Sequence, residues 1–237
     1  MFPLKDANPR HGPAVVMWLV VVANIVVFLI QFSPSDDLQV IAFFQRYGFI
    51  PREFFVAPLP ESSTLLTSMF LHGGPGHLVG NMFFLFVFGD NVEDRMGHLN
   101  FAVFYLLGGV VATLIHGSFA ATSGIPMVGA SGAISAVLGA YIVLFPRQRV
   151  LTLIPPLILP WLALRMLLRV PRFFLLWLPA WLFIGYWALL QFWEATSSVF
   201  VTQSDVSGVA WWAHVGGFVF GLLTVSFFTR RKRPSGV

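Results

Sequence analysis

The chain has 237 residues, of which 57% are apolar and only 10% are charged, with a mean hydropathy of +0.80. Because soluble domains usually carry about 25% charged residues, this composition excludes a soluble globular protein. The 14 Lys and Arg residues against 10 Asp and Glu give a net charge of +4, and the absence of Cys excludes disulfides, thiolate metal sites and a cysteine nucleophile.

Five stretches lack Asp, Glu, Lys and Arg and are long enough to cross a bilayer, which takes about 20 apolar residues. They cover residues 11–35, 62–89, 96–146, 173–193 and 206–229. The third is about twice as long as one span needs and is interrupted by glycines and a Pro-containing turn, so it indicates two helices. The first is longer than the apolar core of a signal peptide and lacks a small-residue cleavage site, so we interpret it as a span.

The pattern therefore predicts an all-α integral membrane protein, a bundle of six transmembrane helices. The predicted spans are residues 14–32, 77–95, 98–117, 130–146, 173–194 and 207–229, between a tail of residues 1–13 and a basic tail of residues 230–237. All Lys and Arg residues except Arg46 and Arg52 fall on one side, which by the positive-inside rule places both termini in the cytoplasm. We expect a multi-pass protein of a bacterial plasma membrane. The clustered basic residues are a topology signal, so no nucleic-acid partner is expected.

Polar residues inside the predicted spans are costly in hydrocarbon, so each either makes a structural hydrogen bond or belongs to a functional site. Counted from the basic flanks at 1.5 Å per residue, four of them lie at one depth of roughly 21 to 27 Å: His77, Asn81, Ser131 and His214. Three spans thus bring these four residues to one layer, just beneath the membrane surface opposite the basic flanks.

This layer indicates nucleophilic catalysis. Ser131 lies at a helix start, so its backbone N–H and the positive end of the helix dipole face the site. His214 is an imidazole at the same depth that can take the serine proton. His77 and Asn81, four residues apart on one helix face, can donate to a developing oxyanion. The alternative interpretation is that these groups only join helices through hydrogen bonds.

Small residues accompany both reactive groups and let their helices approach each other. They lie beside the serine or on the helix face of the histidine: Gly129, Gly132, Gly217 and Gly221. His72 lies near the membrane surface beside a Gly-Gly-Pro-Gly sequence. A solvated loop histidine and a group that helps to admit water are both open interpretations of His72.

Three motifs occur in order along the chain, and they are His77-Leu-Val-Gly-Asn81, Gly129-Ala-Ser131-Gly132 and Ala213-His214-Val-Gly-Gly217. In these motifs, and over about residues 62–229, the sequence resembles the rhomboid intramembrane serine proteases. The resemblance implies a six-helix fold and hydrolysis of peptide bonds in or near transmembrane segments of other proteins. It also implies a Ser131–His214 dyad, with an oxyanion hole formed by His77, Asn81 and the Ser131 N–H. His72 and Glu93-Asp94-Arg95 also match family positions.

The sequence departs from the family pattern at two places. Ser63-Thr64 replaces a Trp-Arg pair that many members carry before the histidines. Ser135 replaces an aromatic residue that packs under the histidine in many members, which leaves open what holds the His214 ring. Asp205, nine residues before His214, is about 13 Å away along a helix, so we expect a dyad without an acid.

Family members are thought to admit substrate sideways between the second and fifth spans. Both spans carry bulky aromatic residues here: Phe83, Phe84, Phe192 and Trp193. We therefore expect substrate to enter at this gate, and replacing Phe192 and Trp193 by Ala to raise cleavage. The expected partners are transmembrane protein substrates and membrane lipids.

Other hydrolytic mechanisms lack their residues. No His is followed by Glu, as a zinc protease motif requires, and Asp90 has no second carboxylate at its depth in the spans, as an aspartyl site requires. No metal and no cofactor are therefore expected. The alternative function, from another class, is a catalytically inactive rhomboid-like scaffold that binds membrane-protein clients. The presence of both Ser131 and His214 favours the enzyme.

Overall fold

The computed structural model describes residues 1–9, 12–33, 36–153, 175–200 and 209–229, and most of these residues are helical. The helices in these ranges are α1 (Val15–Gln31), α2 (Asp37–Tyr47), α3 (Pro51–Val56), α4 (Pro58–Glu61), α5 (Thr64–Thr67), α6 (Pro75–Met96), α7 (His98–Phe119), α8 (Ser131–Leu144), α9 (Ala180–Phe200) and α10 (Trp211–Phe228). A short 3-10 helix, Ser68–Phe70, follows α5.

Five of the long helices start and end close to the predicted spans, and the largest difference among them is at α10, predicted from residue 207 and found from Trp211. The fifth predicted span differs more. It was placed at 173–194, whereas α9 begins at Ala180 and continues to Phe200. The basic tail 230–237, Asp205 and residues 207–208 lie outside the described part of the chain.

A three-stranded antiparallel sheet corrects the expectation of an all-helical chain. Its strands are β1 (Phe2–Asp6), β2 (Arg149–Leu153) and β3 (Leu175–Pro179), with β2 in the centre. Phe2 pairs with Leu153, and Arg149 pairs with Pro179. Sequence patterning missed the sheet because an apolar run of five residues cannot be told from the end of a helix, and because β1 lies in a segment interpreted as a tail.

Two carboxylates, those of Glu93 and Asp6, attach the first residues of the chain to the helices. Glu93 of α6 is 1% exposed and accepts hydrogen bonds from the backbone N–H groups of Val16 (2.9 Å) and Met17 (2.7 Å), which satisfies two free donors at the start of α1. Asp6 of β1 accepts from the Tyr141 hydroxyl at 2.6 Å and from Asn91 Nδ2 at 2.8 Å. These bonds hold β1 and α1 against α6 and α8.

Helix α8, which begins with Ser131, is the most enclosed of the long helices described, with every residue from Gly132 to Tyr141 buried. It packs against α10 backbone to backbone, because glycines leave no side chain between them. A Cβ added at Gly139 would overlap the carbonyl oxygen of Phe218, and one added at Gly221 would lie 2.8 Å from the carbonyl carbon of Ala136. This close approach fixes the distance between the start of α8 and the start of α10.

Two of the described helices, α7 and α10, are both long and apolar enough to cross a membrane, and α1 and α8 are apolar but shorter. The outer faces of several helices expose large apolar side chains. Leu29 is 64% exposed, Leu189 and Leu223 are each 70% exposed, and Phe227 is 82% exposed. Exposed apolar surface on this scale marks contact with lipid or with another protein.

Candidate active site

Side chains from α6, α8, α9 and α10 line one pocket of about 190 Å³. Its lining consists of Gly76, His77, Gly80, Asn81, Phe84, Ser131, Ile134, Ser135, Trp187 and His214. The four polar residues that the sequence placed in one layer are therefore neighbours around a single cavity. A pocket of this volume holds water molecules or a small side chain.

Ser131 is the first residue of α8, preceded by Ala130 as the N-terminal cap residue. The N–H groups of the first helical turn have no partner within the helix, so the Ser131 N–H is available to the pocket. Because the same residue carries the hydroxyl, a candidate nucleophile and a backbone donor come from one position. This arrangement matches what acyl transfer requires.

Gly129 is required by the backbone that leads into Ser131. Its φ of +127° lies in a region that residues with side chains rarely adopt. A Cβ there would also lie 2.8 Å from Cε1 and 2.9 Å from Nε2 of His77. Gly129 therefore allows the turn before Ser131 to lie directly against the His77 ring, and its own N–H donates to the Ser68 carbonyl at 2.9 Å.

Two side chains of α6 supply candidate donors to the pocket. Asn81 is 8% exposed, and within the described residues its Nδ2 has no hydrogen-bond partner. A buried donor without a partner costs about 1–3 kcal/mol, which suggests that it serves a ligand or a reaction intermediate. The Gly73 N–H donates to Nδ1 of His77 at 3.4 Å, so in the neutral ring Nε2 carries the proton beside Gly129.

His214 is held by residues that sequence reasoning did not identify. Its Nδ1 lies 2.6 Å from Oε1 of Gln191, a residue of α9. Two tryptophan rings contact the imidazole, Trp187 with a centroid distance of 6.1 Å and Trp211 with one of 5.9 Å. A signal for Gln191 was present in the sequence, since it is an amide within the apolar stretch 173–193, where polar groups require a partner.

Ser135 occupies the position at which many family members carry an aromatic residue, and here its side chain makes a hydrogen bond within α8. Its hydroxyl donates to the carbonyl oxygen of Ser131 at 2.6 Å, within α8. The ring contacts to His214 come instead from Trp187 and Trp211, on α9 and α10. The structure thus provides the aromatic packing that this position lacks.

His72 is not a solvated loop histidine, because it is 0% exposed. Its backbone carbonyl accepts from Gln31 Nε2 at 2.5 Å, and its N–H donates to Gln31 Oε1 at 3.1 Å. The His72 ring packs edge-on against His77, with 5.1 Å between the centroids. The His72 ring therefore packs against the His77 ring and restricts its movement, and Gln31 of α1 holds the backbone of His72 in place.

The other expected supporting residues are glycines at helix contacts. A Cβ at Gly132 would lie 2.7 Å from Cβ of Ala112, and a Cβ at Gly217 would lie 3.0 Å from the carbonyl carbon of Gly132. Gly132 therefore lets α7 and α10 approach the start of α8. Gly217 brings the helix of His214 against the residue that follows Ser131.

Of the four aromatic residues expected at the gate, one lines the pocket and the other three do not. Phe84 lines the pocket and contacts the rings of Phe183 (6.3 Å) and Trp187 (6.4 Å) on α9. Phe83 contacts Phe2 of β1 at 5.1 Å, and Phe84 also contacts Phe2, at 6.2 Å. Phe192 and Trp193 are 54% and 68% exposed, on the outer side of α9. Consecutive residues on a helix point in directions about 100° apart, so their depth along a span does not show which neighbouring element each side chain contacts.

Comparison with known proteins identifies the family. A family model described as the Rhomboid domain matches residues 60–231, most of the chain. The RHOMBOID-like protein 6, mitochondrial, of Arabidopsis thaliana is 38% identical over 80 residues, which cover 34% of this chain and 25% of that protein. The Presenilin-associated rhomboid-like protein, mitochondrial, of Homo sapiens is 29% identical over 140 residues, which cover 58% of this chain and 35% of that protein.

A third relative, the Presenilin-associated rhomboid-like protein A, mitochondrial, of Danio rerio, is 32% identical over 105 residues, which cover 42% of this chain and 27% of that protein. The matched segments thus span about a quarter to a third of these relatives. All three are named as mitochondrial, so the expectation of a bacterial plasma membrane with cytoplasmic termini is wrong. The count of basic residues describes orientation relative to a membrane and carries no information on which membrane it is.

Proposed function

Because the chain belongs to the rhomboid family, we propose that it is an intramembrane serine endopeptidase that cleaves membrane proteins in or near their transmembrane segments. One observation carries the proposal. Ser131, His214 and Asn81, whose Nδ2 has no hydrogen-bond partner among the described residues, line the same pocket, although they come from three different helices. A scaffold that only binds clients has no use for a nucleophile, a base and a free donor around one cavity.

In the proposed mechanism, the Ser131 hydroxyl attacks the scissile carbonyl carbon while His214 Nε2 takes its proton. The oxyanion that forms accepts hydrogen bonds from the Ser131 N–H, Asn81 Nδ2 and His77 Nε2. The protonated imidazole then gives its proton to the leaving amine, and the acyl group remains on Ser131. A water molecule, deprotonated by the same imidazole, releases the acyl group and restores the serine.

We place the six long helices α1 and α6–α10 across a membrane, with the Lys- and Arg-rich ends on one side and the pocket near the other. Helices α6, α7 and α9 have 21 or 22 residues, about 30 Å, which matches a hydrocarbon core. The exposed apolar faces of α1, α9 and α10 would face lipid. The shorter α8 is surrounded by protein, so it does not need to match the bilayer thickness.

The substrates we propose are transmembrane proteins that enter from the lipid between α6 and α9. The two helices meet through Phe84, Phe183 and Trp187. We propose that this aromatic contact closes the pocket toward the membrane. A transmembrane segment that separates these rings would place its backbone beside Ser131. Hydrophobic contact of this kind is non-directional, so helices can separate there without breaking a buried hydrogen bond.

Covalent labelling of the purified, detergent-solubilised protein by a fluorophosphonate tests the proposal, together with cleavage of a membrane-anchored reporter. We expect labelling and cleavage in the wild type and neither in Ser131→Ala. Ser118→Ala is the matched control, since Ser118 lies on α7 and its hydroxyl donates to the Leu114 carbonyl at 2.8 Å. A folded wild type that binds membrane clients but is neither labelled nor active would show the inactive scaffold instead.

A further inference from the structure

Gln191 is a polar side chain of α9 that contacts His214 in the candidate active site. It is 9% exposed, and its Oε1 lies 2.6 Å from Nδ1 of His214, 23 residues further along the chain. An amide oxygen can only accept, so the Nδ1 of His214 must carry the proton of this bond. In a neutral imidazole the other nitrogen, Nε2, then has a free lone pair.

The choice of protonated nitrogen decides whether His214 can act as a base. A neutral imidazole exists in two tautomers, and only the one with the proton on Nδ1 can take a proton at Nε2. In serine proteases a buried carboxylate selects that tautomer, and in papain-like cysteine proteases an asparagine amide occupies the equivalent place. Gln191 offers the same acceptor from a different helix. No carboxylate is required for this task.

We propose that Gln191 is a positioning residue that fixes the tautomer and orientation of the His214 imidazole, an inference that rests on the proposed protease function. The surrounding contacts support the assignment. Trp187, one turn before Gln191 on α9, and Trp211 limit the ring from two other directions. A hydrogen bond at one nitrogen and two aromatic contacts leave the imidazole little freedom to rotate.

The fold also explains why α9 can place Gln191 reproducibly. The first residues of α9 are attached to the short segment that joins α8 to β2. The Ala180 N–H donates to the Gln148 carbonyl at 2.7 Å, and the Trp181 N–H donates to the Pro146 carbonyl at 3.0 Å. Strand β3 runs directly into Ala180 and pairs with β2 along its whole length. The sheet thus fixes the start of α9, and the Gln191–His214 bond fixes a point three turns further along.

Replacing Gln191 tests the inference through the rate of reaction. We expect Gln191→Leu to lower kcat and the rate of fluorophosphonate labelling by about 10²-fold with little change in KM, because the His214 imidazole loses both its fixed tautomer and its fixed orientation while the substrate contacts remain. Gln191→Glu keeps an acceptor oxygen at the same distance and should retain at least a tenth of the wild-type rate. Thr196→Val is the matched control, since Thr196 also lies on α9 and bonds to the Phe192 carbonyl of its own helix.

A second measurement reads the tautomer without any reaction. In protein labelled with ¹⁵N-histidine, the ring nitrogen signals of His214, identified by their loss in His214→Ala, should show the proton on Nδ1 in the wild type and a mixture of tautomers in Gln191→Leu. A wild type with the proton on Nε2 would overturn the inference, even if the Leu variant does not fold. A Gln191→Leu variant with wild-type kcat and labelling would also overturn the inference, but the proposed protease function would then stand. A wild type that is never labelled would overturn the function, and the inference with it.

Discussion

A single methyl group at the contact between α8 and α10 should separate the two reacting residues. Gly217 lies one turn after His214 and faces Gly132, the residue after Ser131. A Cβ at Gly217 would lie 3.0 Å from the carbonyl carbon of Gly132, 3.2 Å from Cβ of Ser135 and closer still to the Gly132 oxygen. Gly217→Ala therefore pushes the helix of His214 away from the helix of Ser131.

The size of the effect follows from these distances. Non-bonded carbon atoms prefer about 3.5–4.0 Å, so the two carbon contacts fall short by roughly 0.3–1 Å. The atoms that the added Cβ would overlap belong mainly to the backbone and cannot rotate aside, so α10 has to move away from α8 by about 1 Å. A displacement of about 1 Å at a catalytic pair can cost about 10²-fold in rate, and overpacking costs about 1–3 kcal/mol of stability.

The assay measures the rate of fluorophosphonate labelling and of reporter cleavage at a temperature where thermal unfolding shows the variant to be folded. Gly185→Ala is the matched control, because Gly185 is also in a helix and a Cβ there meets nothing within 4 Å. The control should keep wild-type activity and gain up to about 1 kcal/mol from better helix propensity. If Gly217→Ala reacts within twofold of the wild type, the two helices are not in the contact described here.

Three further predictions concern other parts of the structure. Asn81→Ala should lower kcat by about 10²- to 10³-fold without lowering the thermal midpoint, because it removes a donor that has no partner in the described chain. A lower midpoint with normal kcat would argue for a structural role. Glu93→Gln should lower the stability by about 1–3 kcal/mol in thermal unfolding, and an unchanged midpoint would contradict this. Each oxygen of the carboxylate accepts one backbone N–H, whereas in the amide an NH2 donor replaces one of the two oxygens. Burial raises the pKa of Asp6 from 3.8 to about 6, so the folded state binds more protons than the unfolded state between these values, and the stability that Asp6 contributes should fall as the pH rises from about 4 to about 6. Thermal midpoints of wild type and Asp6→Asn should diverge over that range, with the wild type losing more, and a constant difference would refute the assignment.

The part of the site that sequence reasoning could reach consists of polar groups in apolar helices. Such groups stand out because hydrocarbon offers them no partner, and helical rise converts their spacing into depth. This is how Ser131 and His214 were placed in one layer although 83 residues separate them. The order of the three motifs along the chain indicated the rhomboid family, and the match of the family model over residues 60–231 confirmed the resemblance.

The contacts made by side chains of α9 were beyond that reasoning. Gln191 and Trp187 reach His214 because of how α9 is rotated about its axis, and rotation is set by packing rather than by depth. The same limit applies to the gate, where both Phe83 and Phe84 contact Phe2 of β1 but Phe84 also contacts α9 and lines the pocket. The sheet was missed for another reason, since its strands are five residues long and pair over large sequence separations.

The central claim is that Ser131 is a nucleophile activated by His214. Mass spectrometry of the peptides obtained after fluorophosphonate treatment tests it most directly. The account predicts one adduct, on the peptide that contains Ser131, and its loss in His214→Ala under the same conditions. An adduct on another residue, or an adduct on Ser131 that forms equally fast in His214→Ala, would contradict it.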